Sequence, residues 1–326
     1  MKMKTYRQSG WLPLLVAGVT AVSCVSLSGC VSTGTVTEPA AEAAVTEVAA
    51  TQVIKQPAEA CAANAGWNDP AVPRKIFGNS WYVGTCGISA ILITSDSGHL
   101  LIDGGTEKGG RLIAANIQAL GFQLKDVRTL LISHEHHDHA GGIAYLQQVT
   151  GAQVYARAPA DTVLQSGKSS RDDPQFLVLD AMVPVPAVTR IADGQVLQTG
   201  NVQLTAHATP GHTPGSTSWT WQSCDQNQCQ QLAYVDSLTA ISDDVYKYSD
   251  DSAHPGYLAA FRAGLKHIAT LPCTILLTPH PSASDLWARL GPAATAPLVN
   301  AEGCRQYAAS ASVKLDKRLA KEREGQ

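Results

Sequence analysis

Residues 133–142 contain a dense group of side chains of the types that can bind metals. They read Ser-His-Glu-His-His-Asp-His-Ala-Gly-Gly and follow an almost entirely apolar stretch, residues 127–133, that predicts a buried strand. His134 and His136 are two residues apart, so in an extended chain both project to one side. Asp138 and His139 follow at the turn into the next helix. Nitrogen and oxygen donors at a strand end suit zinc, and a polar loop without metal is the weaker alternative.

Two further histidines stand in turns that follow predicted strands. His212 lies in Pro-Gly-His-Thr-Pro-Gly after a strand predicted at 202–208, and His280 lies in Thr-Pro-His-Pro after one predicted at 274–278. A lone histidine is more often structural, but loops that rigid elements position commonly carry function. Beside the cluster, both are predicted to be metal ligands. The remaining histidines lack such a context and are predicted to be structural or exposed: His99, His137, His207, His254 and His267.

The elements that must position these side chains alternate between strands and helices. Helical periodicity predicts helices at 110–120, ending at Gly121, and at 143–149, 254–268 and the C-terminal tail. Apolar runs predict further strands at 80–85, 89–94, 99–102, 154–156, 195–197, 217–221 and 232–235. Strands in two batches, each followed by helices, predict an α/β fold in which a sandwich of sheets carries helices on both outer faces.

The N-terminus has the features of a targeting segment. Residues 1–29 carry a positive start and an apolar stretch at 11–22 that is too short to span a bilayer. Leu-Ser-Gly-Cys at 27–30 resembles a bacterial lipobox and predicts a lipid on Cys30. The alternative is an ordinary signal peptide cleaved near Ala21 or Ser28. Val31 stands where an Asp would favour the inner membrane, so we expect an outer-membrane anchor that faces the periplasm.

Residues 30–60 are predicted to be a flexible tether, and residues 61–326 the folded domain. The tether is rich in Ala, Thr, Val and Glu without a clear period, although a short amphipathic helix is an alternative. The net charge is −3 and no basic stretch runs through the domain, which argues against a nucleic-acid partner. We expect a monomer that contacts the membrane only through its lipid.

The cysteines agree with export. Of eight, Cys24 lies in the signal peptide and Cys30 is the lipidation site. An even number remains, which in an exported chain implies disulfides: Cys61, Cys86, Cys224, Cys229, Cys273 and Cys304. Cys224 and Cys229 flank a polar hairpin loop and are predicted to pair locally, and spacing then favours Cys61–Cys86 and Cys273–Cys304. A cysteine zinc site is disfavoured because the sequence has no Cys-x-x-Cys pair.

The motifs together resemble the metallo-β-lactamase superfamily. His134-x-His136-x-Asp138-His139, the 211–215 turn and the strand leading to His280 carry the resemblance, which covers nearly all of residues 61–304. Gly-Trp-Asn-Asp-Pro at 66–70 and the segments at 81–84, 234–240 and 278–281 resemble subclass B3. The cysteine arrangement and residues 242–244 and 254–257 resemble the AIM-type enzymes of that subclass, although a lipobox is not a feature associated with them. The implied fold is a four-layer αβ/βα sandwich.

The resemblance also implies a metal centre and a reaction. The first zinc ion would bind His134, His136 and His212, and the second would bind Asp138, His139 and His280. A hydroxide shared by the two ions would attack the lactam carbonyl of carbapenems, cephalosporins and penicillins, which would confer antibiotic resistance. Asp138 would be catalytic, since it helps to place that hydroxide. The sequence has no Ser-x-x-Lys motif that would support a serine nucleophile.

Four more residues are predicted around the metals. Asp103 would lie beneath them and orient a ligand histidine, unless it is only a turn residue before Gly-Gly. Ser237 and Thr239 resemble hydroxyl residues that contact the substrate carboxylate. Gln175 is predicted to face the groove on a mobile loop, although an ordinary surface glutamine is an equal alternative.

The main alternative function is another dinuclear zinc hydrolase of the superfamily, a glyoxalase-II-type thioesterase or a lactonase. In those enzymes an Asp bridges both metals, and Asp236 lies near the corresponding position. Export, disulfides and the 237–240 context favour the lactamase. Acidity and export disfavour a nuclease, and a binding protein with a structural zinc would not need an open site built from six ligands.

Overall fold

The computed structural model describes residues 60–62 and 64–325. The predicted signal peptide, the lipid site at Cys30 and nearly all of the tether lie outside the described residues, so those predictions are not tested by it. Within the described part, no helix is long and apolar enough to cross a membrane.

The N-terminal half builds a seven-stranded sheet. Its strands are adjacent in chain order: β1 (Arg74–Phe77), β2 (Ser80–Tyr82), β3 (Ile91–Ile93), β4 (His99–Ile102), β5 (Val127–Leu131), β6 (Gln153–Arg157) and β7 (Val188–Ile191). β1 to β4 are antiparallel, whereas β4 to β7 are parallel. Parallel strands need crossover connections, and these contain α1 (Glu107–Ala119), α2 (His137–Ala140), α3 (Ile143–Thr150) and α4 (Ala160–Ser166).

The C-terminal half builds a five-stranded sheet. Its order is β12-β11-β10-β9-β8, with β8 at Val196–Thr199, β9 at Val202–Ala208, β10 at Thr217–Asp225, β11 at Gln228–Tyr234 and β12 at Ile275–Leu277. The β8, β9, β10 and β11 strands form antiparallel hairpins, and β12 returns parallel to β11. The helices of this half are α5 (Tyr257–Ile268), α6 (Leu286–Arg289) and α7 (Gly303–Arg323).

The described residues form four layers, in the order helices, first sheet, second sheet and helices, with an apolar core between each pair of neighbouring layers. Strand β3 (Ile91–Ile93) shows how one strand contributes to two cores. Successive side chains of a strand point to opposite faces of the sheet, and here both faces are covered. Ile91 and Ile93 lie in the core between the sheets, beside Trp219 of β10, while Leu92 faces the core formed with α1 and α3. A third core lies between the second sheet and α5 and α7, around Phe261. The predicted αβ/βα sandwich is confirmed.

Three disulfides lie within the described residues, and they join the pairs that spacing favours. Cys224 and Cys229 are opposite one another in the β10–β11 hairpin. Cys273–Cys304 connects the segment before β12 to the first turn of α7, and Cys61–Cys86 attaches the start of the described chain to the segment after β2.

Candidate metal centre

Strand ends from both sheets converge on one edge of the sandwich. Asp103 follows β4, the cluster that begins at His134 follows β5, and the turn with His212 follows β9. Asp236 follows β11 and His280 follows β12. The two halves are tied together here, since the backbone N–H of Thr217 at the start of β10 donates to the carbonyl of Ser133, 2.7 Å away.

His134, His136 and His212 form the first group of donors. One ligand atom from each lies within 4.8 Å of the others, and all three residues are buried. In each of the three imidazoles, the far nitrogen, which faces away from the other two rings, has a hydrogen-bond partner. His134 Nδ1 is 2.8 Å from Asp236 Oδ1, and His136 Nε2 is 2.9 Å from Asp173 Oδ2. His212 Nδ1 is 2.9 Å from the hydroxyl oxygen of Thr239 and 3.1 Å from the carbonyl oxygen of Thr239. Such partners fix which nitrogen faces a metal.

Two of these imidazoles are held in the form that binds metals. Burial lowers the pKa of His134 well below its usual value, and the neighbouring imidazoles lower it further. Burial and the nearby His136 lower the pKa of His212 to about 3. Metal ligation requires neutral imidazole. These two side chains are therefore already neutral near pH 7, and a metal can bind them without displacing a proton.

Asp138, His139 and His280 form the second group. Asp138 Oδ2 lies 3.1 Å from His139 Nε2 and 3.4 Å from His280 Nε2, and the two imidazole nitrogens are 3.3 Å apart. Burial would raise the pKa of Asp138, but the charge of His139 and hydrogen bonds from His139 and His280 lower it. Donor atoms of His134, Asp138 and His139 also lie within 4.8 Å of one another, so the two groups adjoin at His134.

Asp103 lies beside the second group, next to His139. It is fully buried and adopts a left-handed backbone conformation with φ of 66°, which is uncommon for a residue other than glycine. Its Oδ2 accepts from Ser133 Oγ at 2.8 Å and from the Tyr234 hydroxyl at 2.7 Å. The same oxygen lies 3.4 Å from His139 Nδ1. This is the position from which the predicted orienting role would act.

The donor set fits zinc. Imidazole and carboxylate groups are ligands that zinc accepts readily. The buried Nε2 of His134 has no hydrogen-bond partner, although buried polar atoms are almost always paired. A cation bound to the inward-facing donors would satisfy this atom.

The predicted substrate residues lie around the donors. Ser237 is buried directly after Asp236, and the Thr239 hydroxyl contacts His212 Nδ1. Gln175 is partly buried, and its backbone N–H donates to Asp173 Oδ1 at 2.8 Å. No contact described here tests the roles predicted for these three residues. Trp67 lines two cavities of about 390 Å³ each, one of which is also lined by His280 and the other by His137.

Sequence reasoning missed Asp173 and Glu135 as parts of the site, and it considered Asp236 only as the bridging aspartate of the alternative function. Asp173 and Asp236 bind the far nitrogens of His136 and His134. Glu135, between these histidines, points away from the donors and accepts from Thr213 Oγ1 at 2.7 Å and from the Gly215 N–H at 3.1 Å. For Glu135, its position between two predicted ligands was a local signal, whereas nothing near Asp173 in the sequence indicates its partner.

Comparison with known proteins places this arrangement in a family. The sequence model of the metallo-β-lactamase superfamily matches residues 83–225. The metallo-β-lactamase MIM-1 of Novosphingobium pentaromativorans is 52% identical, covers 82% of this chain and 98% of its own, and superposes with a TM-score of 0.78. MEM-A1, a subclass B3 metallo-β-lactamase from a soil metagenome library, is 44% identical over 80% of this chain and 100% of its own, with a TM-score of 0.76. The chain belongs to the subclass B3 metallo-β-lactamases.

A more distant structure of the same subclass agrees with this assignment, whereas the match to a thioesterase is short. BJP-1, a subclass B3 metallo-β-lactamase of Bradyrhizobium japonicum, is 30% identical to this chain. The match covers 81% of this chain and 99% of BJP-1, with a TM-score of 0.71. The hydroxyacylglutathione hydrolase of Albidiferax ferrireducens is 33% identical over only 99 residues, which are 30% of this chain and 28% of that protein. The match thus spans less than a third of that curated relative, and the thioesterase alternative is not favoured.

Proposed function

We propose that this B3 metallo-β-lactamase hydrolyses the β-lactam ring of carbapenems, cephalosporins and penicillins with two bound zinc ions. Six donors of the types and spacing expected for such a centre meet at one edge of the sandwich. The family relationship supports the reaction, and the donor chemistry supports zinc.

The observation that carries the proposal is the position of Asp236. In the thioesterase alternative this carboxylate would bridge two metals. Here its Oδ1 contacts His134 Nδ1 at 2.8 Å, on the opposite side of the ring from the unpartnered Nε2. Asp236 therefore orients a ligand, and the two donor groups are complete without it.

The surrounding side chains prepare the site for substrate. When bound, zinc supplies a water of lowered pKa as the nucleophile and polarises the lactam carbonyl oxygen. Each histidine of the first group is oriented by one hydrogen-bond partner, so that its other nitrogen is directed towards the metal position. The partners are Asp236 for His134, Asp173 for His136 and Thr239 for His212. If His212 Nδ1–H donates to both oxygens of Thr239, the hydroxyl hydrogen of Thr239 remains available for a substrate carboxylate.

The deciding experiment is an absorbance assay of the zinc-loaded protein with a carbapenem, beside a glutathione thioester as competing substrate. We expect the carbapenem absorbance to decrease and the thioester to be stable. Turnover of the thioester without turnover of any β-lactam would reverse the assignment.

We also propose that the enzyme works in the periplasm as a monomer that is held to the outer membrane by a lipid on Cys30. The Leu-Ser-Gly-Cys segment and the even number of remaining cysteines support export and lipidation. A residue other than Asp after Cys30 supports the outer membrane.

A further inference from the structure

One aspartate outside the metal centre connects two loops beside it. Asp243 is 8% exposed and lies between β11 and α5. Its Oδ1 accepts from the backbone N–H groups of Val245 and Tyr246, both at 2.9 Å, which shapes its own loop. Its Oδ2 reaches across and accepts from the N–H of Leu177 at 3.1 Å, while its own N–H donates to the carbonyl of Pro174 at 2.8 Å.

Asp243 is hydrogen-bonded to the segment at residues 173–178, and this segment contacts the predicted metal ligand His136 through Asp173. Asp173 at its start is 2% exposed, and it contacts His136 Nε2 at 2.9 Å and the Gln175 N–H at 2.8 Å. The side chains of Leu177 and Val178 are 61% and 67% exposed. Packing of these two side chains therefore contributes little to the position of the segment, and its hydrogen bonds matter correspondingly more.

The loop that contains Asp243 is itself anchored to the C-terminal helix. Arg318 of α7 donates through Nη2 to Ser242 Oγ at 2.6 Å. Glu322, one turn later, accepts from the backbone N–H groups of Tyr248 at 3.1 Å and Ser249 at 2.8 Å. Hydrogen bonds thus run from α7 through the 242–249 loop to the 173–178 segment.

We propose that Asp243 is a positioning residue for the metal centre: by fixing the 173–178 segment, it keeps Asp173 against His136 and Gln175 beside the groove. Asp243 contacts none of the six donors in the described contacts, so its effect passes through the backbone of that segment. The effect on substrate rests on the proposed β-lactamase function, whereas the effect on metal does not.

The selective variant is Asp243→Asn. The amide oxygen can still accept from Val245 and Tyr246, and the backbone bond to Pro174 is unchanged, but an NH₂ group then faces the N–H of Leu177. Loss of a partner that orients a ligand typically lowers metal affinity or activity 10–100-fold. Because Asp243 acts one step further away, we expect zinc affinity to fall by about tenfold, the lower end of that range, with KM raised more than kcat is lowered.

The matched control is Asp250→Asn. Asp250 is also a turn aspartate of this part of the chain, and its Oδ1 accepts from the N–H groups of Ser252 at 3.2 Å and Ala253 at 3.1 Å. It makes no described contact with residues 173–178. Asp173→Ala serves as the positive control, since it removes the contact to His136 directly.

Zinc retention is measured by competition with a chelator for all four proteins, with melting temperatures to verify folding. Weaker zinc binding in Asp243→Asn and Asp173→Ala, with Asp250→Asn like the wild type, supports the proposal. Unchanged zinc binding in Asp243→Asn overturns it, even when the melting temperature falls, because Asp243 then has only a structural role. Unchanged binding in Asp173→Ala overturns it as well. A wild type that binds zinc but opens no β-lactam would refute the proposed function and leave this test intact.

Discussion

Replacing Glu135 by alanine should loosen the turn that carries His212. Glu135 is 3% exposed, and its carboxylate accepts two hydrogen bonds from that turn, one from Thr213 Oγ1 and one from the Gly215 N–H. Burial raises its pKa, so part of what these bonds contribute is offset by the cost of burying the group. After removal, Thr213 can still bond Ser216 Oγ at 3.1 Å, whereas the N–H of Gly215 loses the only acceptor described for it.

The magnitude follows from these contacts. The Gly215 N–H that is left without an acceptor costs about 1–3 kcal/mol, and the hydrogen bond lost by the Thr213 hydroxyl contributes about 1 kcal/mol net. We therefore expect the free energy of unfolding to fall by about 2–4 kcal/mol. For a domain of this size that corresponds to a melting temperature lower by roughly 5–15 °C. Glu135→Gln should lose much less, because its oxygen can accept from Gly215 while its NH₂ group donates to Thr213 Oγ1.

The assay is thermal and urea unfolding of the metal-free proteins, followed by zinc competition for each. The metal-free state isolates the turn from the stabilisation that a bound ion adds. Glu135→Ala should also bind zinc more weakly at the three-histidine group, with the Asp138–His139–His280 group less affected. An alanine variant as stable as the wild type, or a glutamine variant as unstable as the alanine one, would refute the reasoning.

Three further predictions concern metal, anchoring and ligand orientation. Elemental analysis of dialysed protein should find two zinc ions per chain, and less than one would contradict the dinuclear centre. Cys30→Ser should release an active enzyme into the soluble periplasmic fraction, and wild-type protein that is already soluble and begins elsewhere would contradict lipidation. Asp236→Asn should keep both zinc ions and lose about 10–100-fold in zinc affinity or activity, because a ligand's partner is weakened. Loss of one whole zinc ion from that variant would indicate a bridging aspartate.

Boundaries of several elements could not be predicted because tertiary contacts decide them. The helix predicted at 110–120 begins at Glu107, where Thr106 Oγ1 caps it by accepting from the Gly109 N–H at 2.9 Å. The glycines at its start look like helix breakers in the sequence. Gly110 is needed there because a Cβ would lie 2.9 Å from the Cα of Gly142. The elements β1, α4 and β7 were not predicted, and each is short, at four to seven residues.

Residue types and local spacing alone predicted the candidate donors. His134 and His136 alternate along an extended segment after an apolar strand, and His212 and His280 follow strands in turns of Pro and Gly. These are short-range patterns, and the geometry of a strand end determines where such side chains point. The apolar pattern likewise determined a layered α/β sandwich, since both faces of each sheet have to be covered.

Only the tertiary structure decided which nitrogen of each histidine faces inward. That choice depends on the partner of the opposite nitrogen, and the partners are distant in sequence: Asp173 lies 37 residues from His136, and Asp236 lies 102 residues from His134. Their approach requires the two sheets to pack face to face on the core between them. A carboxylate that acts across such a distance leaves no periodicity or spacing in the sequence, so its role appears only when the chain is folded.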